Sequence, residues 1–523
     1  MGMAGWSASR VATLSEDATP HPLQGIDRAQ NRPMPEPAEA ADRTHEVVIL
    51  GAGMSGLCMA IALRRAGIDD FVVLEKSPGL GGTWWDNRYP GAQVDVPAPL
   101  YSFSFEPNPR WRQRFAAAPE IQAYMAHCAR KYGIGPHLRL GRRITEATFD
   151  EAGGRWLIDC DDGQRLRARH FVCSTGPLSQ PRWPEIPGLQ AFEGPRLHTA
   201  RWDAGVPLQG RRVAVIGTGS TAAQLVPAIA PQLAHLGVYQ RTANWVLPRL
   251  DRRYRAADRA LARLPPYAAA VRSYWYHLLE WGRRGFDEGR LARRGMLATA
   301  AAHLERQVPD PVLRERLRPP HALGCKRLIY SNDYYPALAR PQTELVTEAI
   351  ERVTPRGLVT ADGRERPYDA LVCATGFDVA HLGQTLPVTG RDGRRLADAW
   401  REGAQAWHGT MVAGFPNLYF LLGPNTATGH TSTLLYIEPE VRFALRAMQR
   451  VQREGRRWIE VRDAAMREHN QALQARLAGS VWAGCRSWYR QGDDGRIVAL
   501  WPGFTGEYVR ALERAPAGLF ELG

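Results

Sequence analysis

Two glycine-rich hexads carry the clearest chemistry in this sequence. Gly51-Ala52-Gly53-Met54-Ser55-Gly56 follows the apolar run His45-Glu46-Val47-Val48-Ile49-Leu50, and Gly217-Thr218-Gly219-Ser220-Thr221-Ala222 follows Arg212-Val213-Ala214-Val215-Ile216. In such a turn the first glycine bends the chain, the second lets backbone approach a pyrophosphate, and the third position packs helix on strand. The helix N-terminus then faces the phosphates. Phe71-Val72-Val73-Leu74, the next strand after the first turn, ends on Glu75, 24 positions beyond Gly51, an acceptor for ribose hydroxyls. After the second turn, Gly237-Val238-Tyr239-Gln240 ends on Arg241, followed by Thr242. An acid there would repel a 2′-phosphate, whereas an Arg grips it with a fork of donors. The first site thus prefers a plain ribose and the second NADP(H), with a solvated strand-end Arg as the competing reading of Arg241. Two such units, 166 positions apart, describe an enzyme holding two nucleotides, most simply FAD and NADPH.

Between them lies Gly81-Gly82-Thr83-Trp84-Trp85-Asp86-Asn87-Arg88-Tyr89-Pro90-Gly91, with Asp95 just beyond. This run is too rich in Gly, Trp and Pro for a regular element and is expected to be a loop. Adjacent glycines allow close approach to a ligand and the indoles offer flat faces, which fits the wall of a flavin site. Gly82, Thr83, Trp84 and Asp95 are its candidate contacts, together with Tyr101 in the aromatic stretch that follows. The second conspicuous pair is Lys326-Arg327. Only three of the 67 basic residues are lysines (Lys76, Lys131 and Lys326), so a Lys in this chain stands out as required.

These groups need a framework, and 523 residues exceed one hydrophobic core. The apolar runs suit buried parallel strands, and 57–66, 119–132, 223–230 and 434–454 have helical patterns. Residues 145–149 and 155–160 are β-like. Arg169-His170-Phe171-Val172-Cys173-Ser174-Thr175-Gly176 and Tyr368-Asp369-Ala370-Leu371-Val372-Cys373-Ala374-Thr375-Gly376 are strands running into glycine turns, where the chain crosses between nucleotide domains. The expected fold class is α/β, with two Rossmann-like dinucleotide-binding domains, for FAD and NADP, and a helical insertion. The expected order is a flexible tail over 1–43, the FAD domain over 44–180, the NADP domain over 181–250, and the insertion over 251–322. The NADP domain resumes over 323–377 and the FAD domain over 378–523, ending in an aromatic, loop-like active-site segment.

Composition narrows the class. The net charge of +14 is spread without a basic run or a stripe of interleaved aromatics, so no nucleic-acid partner is expected. No apolar stretch is long enough to span a membrane and no secretory leader is evident, which makes the cytoplasm the expected location. The aromatic piece 268–281 has a membrane-surface helix as its sharper reading. Seven scattered cysteines, odd in number and without metal spacing, lead us to expect no structural disulfide and no metal.

Taken in order, the motifs resemble those of the flavin-dependent Baeyer–Villiger monooxygenases, a branch of the class B flavoprotein monooxygenases. Three signatures carry the resemblance: Phe192-Glu193-Gly194 with His198 and Trp202-Asp203; the loop from Gly82 through Trp84 to Asp95; and Asp369 ahead of Ala374-Thr375-Gly376. Ala222 in place of the third glycine of the second turn is a departure that alters helix packing. The resemblance implies that NADPH reduces FAD, that O2 adds to the flavin, and that the resulting peroxide attacks a ketone to give an ester or lactone. It also implies that Arg327 is the fixed cation of the active site and that Asp95 holds it. Lys326 would join Arg241 at the NADP 2′-phosphate, and Trp488 would reach the nicotinamide or substrate. His198 falls in the linker between domains and has a structural or domain-moving role. The alternative is a monooxygenase of nitrogen or sulfur, against which Trp202 and Arg327 stand; a nucleotide-binding redox sensor without turnover is the remaining reading.

Overall fold

A computed structural model describes residues 43–523, apart from 288, 379–386, 486 and 492–494. The segment expected as a tail lies outside the described residues except for Arg43, which pairs with Asp70 at 2.8 Å. The first dinucleotide unit forms where the apolar runs demand it. Thr44–Leu50 pairs in parallel with Phe71–Glu75, Val47 opposite Phe71 and Leu50 opposite Leu74. Val47, Val48 and Ile49 are fully buried, as a strand covered on both faces must be. The connecting helix, Met54–Arg65, buries nine of its twelve residues.

These strands belong to an eight-stranded sheet in the order Val388–Thr389, Ile144–Asp150, Arg155–Cys160, Arg165–Cys173, Thr44–Leu50, Phe71–Glu75, Leu138–Leu140. The eighth, Leu418–Phe420, lies parallel to the end of Arg165–Cys173. The second dinucleotide unit builds a separate all-parallel sheet of Thr343–Val346, His235–Tyr239, Arg212–Ile216, Ala370–Cys373 and Arg196–His198. The helix Ser220–Ile229 leaves its turn. The chain passes between the sheets twice, and the crossings are zipped together: Arg182 N donates to Gly376 O and Asp378 N to Gln180 O, each at 2.9 Å.

The expected insertion is helical, with Ala256–Leu261, Pro265–Gly282, Leu291–Gln307 and Pro311–Arg316. Its aromatic helix buries Trp275 and leaves Tyr274 and Trp281 exposed. Among the described residues no helix is long and apolar enough to cross a membrane.

Three expectations need correction. Residues 81–91 are not wholly loop, because Thr83–Asp86 makes one helical turn. Gly82, at φ 54°, launches it and the Asn87 side chain closes it by donating to Thr83 O at 2.9 Å. The C-terminal segment is not only loop, since the helix Thr505–Glu513 follows the aromatic run. Finally, Cys325 and Cys485 form a disulfide with their Cα atoms 6.1 Å apart. At a separation of 160 residues no local spacing could have disclosed it.

Candidate active site

The segment 81–95 is the strut of the site. Its start rests on the first glycine turn: Gly81 N donates to Ala52 O at 3.1 Å, and a Cβ on Gly82 would stand 2.9 Å from Gly53 Cα. Its middle rests on the helix of the second unit. Tyr89 Oη donates to Gln224 Oε1 at 2.8 Å, and a Cβ on Gly91 would fall 2.3 Å from Gln224 O. Trp84 packs against the cores around both sheets and donates from Nε1 to Tyr101 Oη at 3.1 Å. Arg88 is committed elsewhere, its guanidinium 3.9 Å over the Trp85 ring.

At the far end of the strut, Asp95 Oδ2 receives both Arg327 Nε at 2.8 Å and Arg327 Nη2 at 2.7 Å. Nη1 points to Thr428 O at 3.4 Å. The charge on Asp95 raises the guanidinium pKa above its ordinary value, outweighing burial, so Arg327 is a permanent cation. Tyr330 and Tyr489 feel the same charges, and burial pushes both phenols up to about 12. They remain neutral hydroxyls beside a fixed positive charge.

The two glycine turns fit dinucleotides. Both helices start on a glycine cap, Gly53 or Gly219, without a side-chain cap, which leaves their first N–H groups for phosphate oxygens. Nothing lies within 4 Å of where a Cβ on Gly219 would stand, and Gly53 has only Gly82 Cα, at 3.7 Å. Gly51 and Gly217 adopt φ of 101° and 114°, and a Cβ on Gly56 would sit 1.9 Å from Gly51 O. Glu75 is buried, accepting Ala52 N and Ser77 N at 2.8 Å each, and its carboxylate keeps lone pairs for a ribose. Ser55 is buried in the first helix. In the second unit Thr218 Oγ1 donates to Thr242 O at 3.2 Å, and Ser220 and Thr221 open the helix. Lys326 sits below the usual ammonium range because of burial and then of the charge on Arg241.

Not every candidate converges. Trp488 is 42% exposed and packs at a tilt against Tyr489, with ring centroids 4.4 Å apart; it is Tyr489 that feels the charge on Arg327. His198 is buried at the end of the strand Arg196–His198, where Nδ1 accepts Ala200 N at 3.1 Å. Nε2 therefore carries the proton, directed at Arg182 O at 3.3 Å. That places it on the zipped crossing, beside Arg182. Asp369 accepts Arg212 N at 2.8 Å and fastens the start of a strand. Sequence reasoning missed Tyr330, Tyr489 and Thr428. The polar run Asn425-Thr426-Ala427-Thr428-Gly429-His430-Thr431-Ser432, between two apolar segments, was the available signal for the last.

Comparison with known proteins gives a consistent picture. Residues 49–118 match the NAD(P)-binding Rossmann-like domain family. A Baeyer-Villiger monooxygenase of Pseudomonas aeruginosa is 42% identical over 482 residues, 92% of this chain and 91% of the relative. One from Streptomyces coelicolor is 41% identical over 501 residues, 92% and 94% of the two chains. Among solved structures, an oxidized steroid monooxygenase bound to NADP superposes with a TM-score of 0.83 at 30% identity, covering 92% of this chain and 99% of the other. Cyclohexanone monooxygenase from Rhodococcus sp. Phi1 bound to NADP+ gives 0.83 at 28% identity, with the same coverage. OTEMO in complex with FAD and NADP gives 0.84 at 26%, again over 92% and 99%.

Proposed function

The chain belongs to the Baeyer–Villiger monooxygenase family, and from that premise we infer how its residues divide the work. The protein is an NADPH-dependent flavoprotein that inserts one oxygen atom of O2 beside a ketone carbonyl, giving an ester or lactone. The flavin, when bound and reduced by NADPH, supplies the activation of O2. The first glycine turn with Glu75, Gly82, Thr83 and Trp84 holds FAD; the second turn with Arg241, Thr242 and Lys326 holds NADPH. Sheet membership supports assigning 44–180 and 378–523 to the FAD side and 181–250 and 323–377 to the NADP side, with 251–322 inserted. A cytoplasmic location is part of this reading, supported by the need for NADPH and opposed by the Cys325–Cys485 disulfide.

Arg327 is the catalytic cation in this reading. With the flavin bound, Arg327 would face the ketone oxygen, and as a preorganised cation it would stabilise negative charge developing there without reorganisation at the moment of reaction. Asp95 grips one edge of the guanidinium and Thr428 O takes Nη1, leaving the remaining N–H groups for that oxygen. Asp95 also fixes the cation to the strut that touches the first glycine turn and the helix leaving the second, so Arg327 is registered against FAD and NADPH together. The observation that carries the assignment is the doubled contact of Arg327 with Asp95.

The test uses purified FAD-loaded protein, NADPH, and a panel of cyclic, linear and aryl ketones with a thioether control. Ester or lactone formation coupled to NADPH loss is expected from the wild type. Arg327→Ala should abolish ester while NADPH still reduces the flavin. Ester formation by Arg327→Ala near the wild-type rate would remove Arg327 from its role.

A further inference from the structure

A buried polar chain leads from Arg327 out to the helical insertion. Thr428, whose carbonyl receives Arg327 Nη1, is 1% exposed, and its Oγ1 accepts His430 N and Thr431 N, each at 3.3 Å. A hydroxyl has two acceptor sites and one proton. With both acceptor sites used, the Thr428 proton goes to His430 Nδ1, 3.0 Å away. Nδ1 is therefore the unprotonated nitrogen, and Nε2 donates to Glu280 Oε1 at 3.0 Å. The side chains of His430 and Glu280 are only 4% and 12% exposed.

Glu280 stands near the C-terminal end of the insertion helix Pro265–Gly282. It also accepts Thr505 N on Oε2 at 3.1 Å and Thr505 Oγ1 on Oε1 at 2.5 Å. Thr505 opens the helix Thr505–Glu513, which has no side-chain cap of its own, so Glu280 caps that helix from another element. Although burial raises the Glu280 pKa, the hydrogen bonds from His430 and Thr505 outweigh it and leave the group lowered. Three links thus join Thr428 to Thr505, from Thr428 to His430, from His430 to Glu280 and from Thr505 to Glu280, with the Tyr436 hydroxyl beside Thr428 and Thr505.

We propose that Glu280 and His430 are positioning residues for the oxygenation step: through Thr428 they fix the carbonyl that orients Arg327, and so tie the docking of the insertion to the geometry of the catalytic cation. The proposal rests on the reading of Arg327 above. If His430 is truncated the Thr428 hydroxyl loses its acceptor, and if Glu280 is truncated the His430 ring loses the partner that holds it; in either case the 428–431 turn loosens and Nη1 loses its fixed acceptor. A misplaced cation costs rate out of proportion to the displacement. The flavin-reduction step does not use Arg327 in this way and should be spared.

The test compares wild type, Glu280→Ala, Glu280→Gln, His430→Ala, Thr428→Val, Thr428→Ser and Arg327→Ala as FAD-loaded proteins. Three quantities are measured: anaerobic flavin reduction by NADPH, ester formed per NADPH consumed, and hydrogen exchange of the 429–431 amides. Glu280→Ala and His430→Ala should reduce flavin at the wild-type rate, yet convert about tenfold less of the NADPH into ester. The balance should be released as hydrogen peroxide, with faster amide exchange at 429–431. Glu280→Gln keeps an oxygen facing Nε2–H and should recover most of the coupling. Thr428→Val should reproduce the loss and Thr428→Ser reverse it, so the result does not hang on one variant that folds badly. A merely structural role would slow reduction and coupling alike. If His430→Ala and Thr428→Val couple as the wild type does while Arg327→Ala makes no ester, the relay is overturned and the reading of Arg327 stands. If Arg327→Ala itself makes ester, that reading falls and the relay with it.

Discussion

At the scale of single residues, the reading of the second nucleotide site rests on charge. Lys326 is depressed by burial and by Arg241, a repulsion that a 2′-phosphate would convert into two charge-assisted contacts. Arg241→Ala should therefore raise KM for NADPH about tenfold while leaving KM for NADH unchanged, because a hydrogen bond to a charged group is worth about 1.5–3 kcal/mol. Steady-state titration with both reductants checks it; equal losses would make Arg241 a bystander. Arg241 was legible because it ends a strand after a glycine turn, and Lys326 because lysine is so rare here. Thr428 and His430 were not, since their role follows from counting protons in a turn, and a sequence carries no such geometry. Trp488 shows the reverse failure: the aromatic segment was found, but which of two adjacent rings turns inward depends on the course of the loop.

At the scale of elements, the glycine turns and their strands were legible because periodicity and turn chemistry agree. The strut 81–95 could be read as a flavin wall, but its contacts with Gln224, more than 120 residues on, are tertiary. The C-terminal helix Thr505–Glu513 hides a second lesson. Tyr508 Oη lies 2.7 Å from His408 O and 2.8 Å from Glu440 Oε1. The one phenol proton thus faces two acceptors, the His408 carbonyl and the Glu440 carboxyl. Burial pushes Glu440 up to about 8, against the lowering effect of the Leu422 amide and the Tyr508 hydroxyl. A group raised on folding contributes stability that is complete below its unfolded value, near 4.5, and is lost as pH rises through 8. His170 acts in the opposite sense, since burial lowers it to about 3 and its contribution is lost as pH falls from 6.5. The difference in Tm between wild type and Glu440→Gln isolates the glutamate: the wild type's relative standing should decline steadily from pH 5 to pH 8.5. A difference that stays constant with pH would mean that Glu440 does not titrate in this range.

At the scale of the whole molecule, two sheets share one chain that crosses between them at 174–182 and 374–378, and His198 locks the crossing. The Thr-Gly turns announced those crossings in the sequence, whereas the bond between Cys325 and Cys485 did not. That bond makes the chain from 325 to 485 a closed ring, which runs from the second sheet through the crossing into the first and back to Cys325, two residues before Arg327. Severing the ring once leaves it a single covalent body. Arg356, with a side chain 88% exposed, lies in the turn between the strands Ile350–Thr354 and Gly357–Thr360 and offers trypsin a place to cut. The nicked protein should migrate on a denaturing gel as one species of full mass until reductant is added, then part into two fragments. Two fragments without reductant would show the ring open in solution. A closed ring would mean that the protein survives a cut backbone with its cation, its insertion and its nucleotide turns still on one molecule.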